Sequence, residues 1–291
     1  NLLNNCTTAS TIRLIFTWKN DSSGGTAPSA SIDNISLVSN TVPPLSGTYT
    51  VGPTGNFTTL TAATTAINAT GVSGPVILEL QSDYAGAGET YPIVLAGQGA
   101  CFPPTATNNV TIRPAAGAPL LTITSASTTA TIDINNGQWW RIDGRPGGTG
   151  TTKGLVVANT STSGIAIRFI NEASNNIVRF CTVQGVNTST TSGVVVFSTT
   201  TGANGNDNNL IDNCDIRDGA TTPTNGIYSS ATTTVPAQYN DNNTVSNCNI
   251  FNYFNSSSSN AGINLSSGSA GWTINGNSFY QTVSRAPTAG T

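Results

Sequence analysis

The sequence of 291 residues contains no histidine. This absence excludes a Ser-His-Asp triad, an HExxH zinc site and every general base that depends on an imidazole ring. Charged residues make up only 8% of the chain, against about 25% in an average globular protein. Because acid–base catalysis needs acids, bases or metal ligands that converge in one place, this composition favours a non-catalytic protein.

Other common features are also missing. No methionine is present, so we expect the chain to be a processed product or a piece of a longer polypeptide. No apolar run approaches the roughly 18 residues of a membrane span, and no secretory leader is visible. The net charge is −3 without a cluster of Lys or Arg, which argues against a nucleic-acid partner. A hydrophobic share of 37% nevertheless allows a buried core, which disordered segments cannot form.

The sequence contains one phrase three times. The stretches "NNIVRFCTV", "NNLIDNCDI" and "NNTVSNCNI" begin at Asn175, Asn208 and Asn242. A fourth copy, "GWTINGNSF" from Gly271, keeps the apolar positions but has Trp and Asn in place of the second Asn and the Cys. Short β-rich phrases such as "GIAIRF" and "GINLSS" alternate with these copies. Periods of about 20–50 residues are typical of solenoids, propellers and arrays.

We interpret this period as an all-β fold, a right-handed parallel β-helix. Strands this short cannot stand alone, but coils stacked about 4.8 Å apart would pair their backbones with the coils on either side. A β-propeller is the second interpretation, although its blades need longer antiparallel strands. In the solenoid, equivalent residues would form stacks: Val178, Ile211, Val245, Ile274; Val183, Ile216, Ile250, Phe279; Cys181, Cys214, Cys248; and Asn176, Asn209, Asn243.

The segment Thr59–Thr70 is the best helix candidate in the sequence. Because the ends of a solenoid need caps, we expect this helix to cover the first coil. The segment from Gly74 would then be the first buried strand. The buried face of the helix would consist of Leu60, Ala63, Thr64 and Ile67.

A longer pattern resembles a known family. The stretch "GTYTVGPTGNFTTLTAATTAINATGVSGPVILEL" from Gly47, followed by "VTIRPAAG" and "WWRIDG", resembles secreted parallel β-helix proteins of Bacteroidetes in the pectate-lyase-like superfamily. The resemblance covers the chain from Gly47 to its end. It implies a β-helix domain at 48–291 in a large secreted or cell-surface protein, carried as cargo of the type IX secretion system.

The pattern of residues 1–40 predicts a strand, a Gly/Ser/Pro-rich loop and a second strand. We expect them to be the C-terminal strands of a β-sandwich or jelly-roll domain, followed by a Pro-bearing linker at 41–47. In the jelly-roll modules that this segment resembles, an Asp at the position of Asp33 can bind a structural Ca²⁺ ion through its oxygens. The alternative is a strand-end Asp that bonds its own backbone. The sequence requires no other cofactor.

The acidic stretch "IDNCDIRDG" contains Asp212, Asp215, Arg217 and Asp218. Two carboxylates about 5–9 Å apart could carry out glycoside hydrolysis. In the pectate lyases that this fold resembles, carboxylates beside an Arg hold Ca²⁺ for β-elimination. If the protein is an enzyme, these four residues are its candidates. We favour the alternative of solvated turn residues, because neighbouring coils contribute almost no further acids.

Trp139 and Trp140 are neighbours, so in a strand one side chain points inward and the other outward. The outward ring could stack on a sugar, although packing in the core or at an interface is the favoured alternative. Arg141 and Asp143 could form an outward ion pair, which contributes little in water.

Cys6 and Cys101 lie outside the predicted cysteine stack. A disulfide between them is compatible with an oxidising compartment, but spacing alone does not show that they are close. Low charge together with abundant hydroxyl and amide side chains suits an extracellular location.

Three functions remain open from the sequence, because this architecture hosts all of them. The first is a structural or adhesive segment of a large secreted or cell-surface bacterial protein. Its partners would be other domains of the same polypeptide, other surface proteins and polysaccharide. The second is a polysaccharide lyase or glycoside hydrolase, and the third is a carbohydrate-binding module without catalysis. The scarcity of charge favours the first. The last residues, "VSRAPTAGT", contain no obvious cap, so we also expect the solenoid to continue or to be closed by another domain or chain.

Overall fold

The structure, a computed structural model, describes residues 43–86, 88–97 and 101–288. From Leu45 onward these residues form a parallel β-solenoid of about seven coils. Three sheets run along its length, and each complete coil contributes one short strand to each sheet in turn. The predicted jelly-roll strands at 1–40, with Cys6 and Asp33, lie outside the described residues.

All strand pairs within the three sheets are parallel. Sheet 1 contains β1 (Leu45–Val51), β2 (Val72–Leu80), β4 (Val110–Pro114), β7 (Trp140–Asp143), β10 (Ile177–Arg179), β13 (Leu210–Asp212), β17 (Thr244–Ser246) and β21 (Thr273–Asn275). Sheet 2 contains β5 (Leu121–Ser125), β8 (Leu155–Asn159), β11 (Cys181–Gly185), β14 (Asp215–Asp218), β18 (Asn249–Phe251) and β22 (Ser278–Tyr280). Sheet 3 contains β3 (Ile93–Leu95), β6 (Ala130–Asn135), β9 (Ile165–Ile170), β12 (Val195–Phe197), β15 (Asn225–Ser229) and β19 (Ala261–Leu265). A separate pair joins β16 (Asn240–Asp241) to β20 (Ser269–Ala270).

The register between coils stacks equivalent apolar residues, as the repeat predicts. In sheet 1, Val178 pairs with Ile211, and Val245 continues the row on the other side of Ile211. These three side chains are at most 1% exposed, so the row lies in the core. The predicted row in sheet 2 is also in register: Val183, Ile216, Ile250 and Phe279.

The corners of the coils explain the dipeptides "NN" and "NC". One residue at each of two corners has a left-handed φ of about 51–63°, a region that Asn and Gly adopt more readily than other residues. The first Asn of each dipeptide is therefore a turn residue, and the residue after it points into the interior. The left-handed residues are Trp139, Asn175, Asn208, Asn242 and Gly271 at the first corner, and Phe180, Asn213, Asn247 and Gly276 at the second.

The second asparagine of each "NN" forms a buried ladder along the solenoid. Asn209 Oδ1 accepts hydrogen bonds from the backbone N–H and the Nδ2 of Asn176, at 2.9 and 3.0 Å. Asn243 Oδ1 accepts the same two bonds from Asn209, and Asn209 Nδ2 donates to the carbonyl of Ala173 at 2.8 Å. Because the side chains bond the backbone at the corner, they satisfy buried polar groups that have no strand partner there.

The N-terminal end of the solenoid is covered by α1 (Leu60–Thr70), and the predicted face of this helix is buried. Thr59 caps the helix by accepting a hydrogen bond from the N–H of Ala62 at 3.0 Å. The Glu89 carboxylate accepts two more, from the N–H groups of Leu60 and Thr61 at 2.6 and 2.7 Å. A carboxylate at the N-terminus of a helix also interacts favourably with the helix dipole. This interaction compensates for the low helix propensity of the threonines.

The first strand lies earlier in the chain than we predicted. β1 begins at Leu45, inside the segment 41–47 that we expected to be a linker, and pairs with β2. We predicted the strand from Gly74 as the first buried strand. β1 precedes it with only its end residues, Leu45 and Val51, buried, and α1 is inserted between these two strands of sheet 1.

The left-handed corners generate a prediction about Phe180. Phe180 has a φ of 51° at a position where the next two coils have Asn213 and Asn247. A left-handed conformation costs about 1–2 kcal/mol for most residues. The cation–π contact of Arg145 with the Phe180 ring, at 4.8 Å, offsets about 0.5–1 kcal/mol of this cost. We therefore expect Phe180→Asn to raise the free energy of unfolding slightly, by up to about 1 kcal/mol in chemical denaturation.

The matched control is the reverse substitution one coil later. Asn213→Phe introduces the same strain without the Arg145 contact and also removes the hydrogen bond from Asn213 to Asp212, so we expect it to destabilise the protein by at least about 1–2 kcal/mol. Equal destabilisation by both variants would show that the left-handed conformation does not determine the residue at this corner.

Candidate functional site

A groove on the outer face of sheet 2 is the candidate binding site. It has a volume of about 480 Å³. Its floor includes Ala158, which lies in register between Thr124 of β5 and Gln184 of β11. The small side chain of Ala158 leaves a depression between these two longer ones. The groove is lined by Thr122, Thr124, Ala158, Asn159, Thr160, Thr162, Gln184, Val186, Gly219, Ala220 and Thr221.

The lining of the groove is uncharged and mostly apolar, with hydroxyl and amide groups among its side chains. None of its lining residues carries a charge, so the groove can hydrogen-bond a ligand through hydroxyl and amide groups but offers no acid or base. Part of this polar lining is fixed in place. Asn159 Nδ2 donates to the carbonyls of Ser127 and Ile165, at 3.0 and 3.1 Å, and its Oδ1 accepts from the N–H of Ser161 at 2.9 Å.

An aromatic stack lies further along the same sheet. Gln184 is in register with Arg217, whose guanidinium lies 5.4 Å from the centre of the Phe251 ring. The rings of Phe251 and Tyr280 stack at 4.8 Å with an interplanar angle of 5°. Each ring covers a face of the other, so this pair stabilises the coil contact more directly than it offers a platform to a sugar.

The structure distributes the acidic candidates over two sheets. Asp212 lies in β13 of sheet 1, whereas Asp215, Arg217 and Asp218 lie in β14 of sheet 2. Asp215 binds Lys153 Nζ at 2.5 Å and Asn249 Nδ2 at 2.7 Å.

The two remaining carboxylates, Asp218 and Asp212, also form ion pairs or hydrogen bonds with neighbouring side chains. Asp218 is 3.4 Å from Arg217 Nε and accepts a hydrogen bond from Asn252 at 3.1 Å. Asp212 accepts hydrogen bonds from Ser246, Asn247 and Asn213. Burial alone would raise the pKa of Asp212, but these bonds outweigh it and lower the pKa. A general acid needs the opposite shift, so this arrangement supports a structural role for the carboxylate.

The predicted pairing of Arg141 with Asp143 is wrong. The Asp143 carboxylate, 2% exposed, binds Arg145 at 2.8 Å and Arg179 of the next coil at 2.9 Å. Arg141 makes no ion pair within the described part of the chain. Two other arginines are better placed. Arg179 lies in register with Asp143 one coil away, a spacing of about 4.8 Å, and Arg145 follows the end of β7 and bonds the carboxylate through its backbone N–H and its guanidinium.

Asp143 belongs to a row of alternating charges on sheet 1 that the sequence analysis did not find. Glu79 is in register with Arg113 and binds it at 2.6 Å. Asp143 is in register with Arg179, which is in register with Asp212. Opposite charges therefore follow one another from coil to coil.

The two tryptophans occupy different environments. Trp140 is fully buried and its Nε1 donates to the carbonyl of Ala96 at 2.7 Å, so it is the inward member of the pair and contacts no ligand. Trp139 has a left-handed φ of 62° at a corner and lies outside the strand. Its role in ligand binding stays a prediction.

The three stacked cysteines are buried free thiols. The backbone N–H of Cys214 lies 3.4 Å from Cys248 Sγ. Burial and the neighbouring Cys181 raise the pKa of the Cys214 thiol, and the contact with Cys214 together with burial raises that of Cys248. Because the thiolate is the reactive form, these residues fill the core as predicted. The Cys6–Cys101 disulfide stays a prediction, since Cys6 lies outside the described residues.

A second asparagine ladder was also missed by the sequence analysis. Asn206 donates to Asn240 Oδ1 from its backbone N–H at 3.2 Å and from Nδ2 at 2.8 Å. The indication was present in the sequence, because "NDNN" occurs at 206–209 and again at 240–243. Extending the repeated phrase by two residues would have predicted this ladder.

Comparisons with protein-family models, with curated proteins and with solved structures find no match for this chain. Among the described residues, no group of three or more Cys, Asp or Glu side chains is arranged to hold a metal ion. Asp33, the predicted calcium ligand, lies outside these residues. No helix in the described part of the chain combines the length and apolar character required to cross a membrane.

The row of charges predicts how stability depends on pH. Burial alone would raise the pKa of Asp143, but hydrogen bonds from Arg145 and the charges of Arg179 and Arg145 lower it. A carboxylate whose pKa is lower in the folded state stabilises the protein above its unfolded pKa of about 3.9. This contribution is lost as the pH falls through the folded pKa. We expect Asp143→Asn to lower the free energy of unfolding at neutral pH and to weaken its dependence on pH in acid.

Denaturant unfolding at several pH values between neutral and strongly acid conditions would measure this effect. Asp83→Asn is the matched control, because Asp83 is exposed and forms no ion pair with a described residue. An equal loss of stability at neutral pH in both variants would contradict the role assigned to Asp143.

Proposed function

We propose that this chain is a non-catalytic structural or adhesive segment of a large secreted or cell-surface bacterial protein. The observation that carries the proposal is the use of polar side chains to tie one coil to the next. The buried amides of Asn176, Asn209 and Asn243 bond one another or the neighbouring backbone. A solenoid stabilised in this way at its corners is suited to act as a stiff rod.

The charged side chains support the same proposal. Asp133 binds Arg168 with two hydrogen bonds of 2.7 Å, across the register between β6 and β9. Lys153, Arg113 and Arg179 each bind a carboxylate as well. A chain with only 8% charged residues therefore uses many of them to hold coils together, which leaves few groups for acid–base chemistry.

The proposed setting rests on the sequence. The motif resemblance to secreted Bacteroidetes proteins, which includes "VTIRPAAG" and "WWRIDG", favours a cell-surface rod exported by type IX secretion. In that setting, the partners would be other domains of the same polypeptide and other surface proteins.

A matched pair of variants tests the structural role. Asn209→Leu removes the hydrogen bonds that Asn209 makes with Asn176 and Ala173, and each buried group left unpaired costs about 1–3 kcal/mol. We expect the wild-type solenoid to resist proteolysis as one fragment and the variant to be cut much faster. Asn208→Gly is the control, because Asn208 is a left-handed turn residue with a φ of 57°, which Gly adopts readily. Rapid cutting of the wild type within its coils would contradict the proposal of a rigid rod.

The groove favours a second candidate function, contact with a glycan. Its uncharged lining combines a mostly apolar surface with hydroxyl and amide groups, and its volume is about 480 Å³. These properties fit a short stretch of a neutral polysaccharide, because the polar groups hydrogen-bond sugar hydroxyls and the apolar surface accepts the C–H faces of the rings. In this function the segment would adhere to polysaccharide and would not cleave it.

Filling the groove tests this second function. Ala158→Trp places a large side chain between Thr124 and Gln184, so we expect it to abolish binding to any glycan that the wild type retains on a glycan array. Thr244→Trp is the control, because it adds the same side chain to β17 of sheet 1, away from the groove. Retention that survives Ala158→Trp would exclude the groove as the site. Release of unsaturated or reducing ends, assayed with added Ca²⁺, would favour the lyase or hydrolase instead.

A further inference from the structure

Arg141 is a charged residue that the pairing of the coils leaves without a partner. Its in-register neighbours in the adjacent coils are Thr111 and Ile177, so neither coil supplies an opposite charge. The Asp143 carboxylate, two residues further along β7, already binds two other arginines. Within the part of the chain that the structure describes, the Arg141 guanidinium forms no ion pair and donates no hydrogen bond to another residue.

The surroundings of this guanidinium make the missing partner unfavourable. Arg141 is half-buried, and both burial and the positive charge of Arg179 lower the pKa of Arg141, whereas the charge of Asp143 raises it. A charge that is withdrawn from water without a partner costs free energy. Because a guanidinium group has five N–H donors and no acceptor, an anion bound here would supply both the missing acceptor and the opposite charge.

Trp139, two residues earlier, has a strained backbone conformation. Its φ of 62° lies in the left-handed region, at a corner where the following coils have asparagine or glycine, and this region is unfavourable for a bulky side chain. The strain at Phe180 is partly offset by the contact with Arg145. Among the described residues, however, no aromatic ring or guanidinium group stacks on Trp139. Backbone strain of this kind is found preferentially at ligand-binding positions.

The two side chains lie on the outer surface of the same coil. Trp140 and Ile142, which alternate with Arg141 along β7, are fully buried, so Arg141 points outward. Trp139 is half-buried at the corner just before this strand. Its indole Nε1 is a donor only, and its ring offers a flat apolar face that suits the C–H face of a sugar. Together the two residues match a ligand that combines a sugar ring with an anionic group.

We propose that Trp139 and Arg141 form a binding site for an acidic sugar of a polysaccharide. The sugar ring lies against the indole, and its anionic group, a carboxylate or a sulfate ester, accepts charge-assisted hydrogen bonds from the guanidinium. This site is on the surface of sheet 1, whereas the uncharged groove is on sheet 2. The inference rests on the proposed adhesive function and assigns to it a second class of ligand.

An array of carboxylated and sulfated glycans, each beside its uncharged counterpart, tests the proposal with the full 291-residue chain. It includes dextran sulfate, carboxymethyl dextran and unmodified dextran, which share one backbone. We expect this site to bind only glycans that carry an anionic group, and the two kinds of acidic probe show which group is bound. Arg141→Gln should raise the Kd for the best-bound acidic glycan about tenfold or more, because it loses the charge-assisted hydrogen bonds. Arg285→Gln is the matched control, because it removes one positive charge beyond β22, and it should bind like the wild type.

A second variant separates binding from folding. Trp139→Asn introduces the residue type that the next three coils have at this corner, so we expect the midpoint of chemical denaturation to stay or rise while the Kd rises about tenfold. A lower midpoint with unchanged affinity would show that Trp139 only packs, and would overturn the proposal. A wild type that retains no acidic glycan, or equal weakening by Arg141→Gln and Arg285→Gln, would overturn it as well. Resistance to proteolysis, which tests the rod, does not depend on this site, so the two proposals can fail separately.

Discussion

In-register backbone pairing between successive coils is the constraint on which the rest of this structure depends. Each residue has an equivalent neighbour about 4.8 Å above and below it, so a side chain must be compatible with copies of its own position. Aliphatic residues and small thiols meet this requirement by packing. An amide meets it by hydrogen bonding, because it both donates and accepts, as Asn176 and Asn209 show. A carboxylate repeated at the same position would repel its neighbour.

This constraint explains where charges occur. In sheet 1, Glu79 lies in register with Arg113, and Asp143, Arg179 and Asp212 follow one another in register with alternating sign. The charges therefore contribute to coil stacking, as the asparagines do at the corners. The few ionisable groups of the chain are largely used in this way, which is the physical basis for proposing a structural role.

The same constraint determines how much of the structure could be predicted. The rows through Val178 and Asn176 were predictable because the repeated phrase fixes which residues are equivalent. The pairing of Asp143 was not predictable from its own strand, because one partner, Arg179, lies in the next coil and the other, Arg145, lies in the turn after β7. The groove around Ala158 depends on the register of β5, β8 and β11. The first two of these strands precede the repeated phrases, so the sequence did not define their equivalent positions.

The charged row also changes its chemistry toward the last described coils. Asp212 is followed in register by Ser246 and then by Asn275, and Asp215 of sheet 2 is followed by Asn249 and Ser278. An alternating row must stop with a charge that has a partner on one side only. Covering such a charge would remove its hydration without a new partner, which is strongly unfavourable. Rows that finish in hydroxyl and amide groups avoid this cost, because these groups can bond to whatever strand lies beyond them. The last described coils therefore carry no unpaired charge in these two rows.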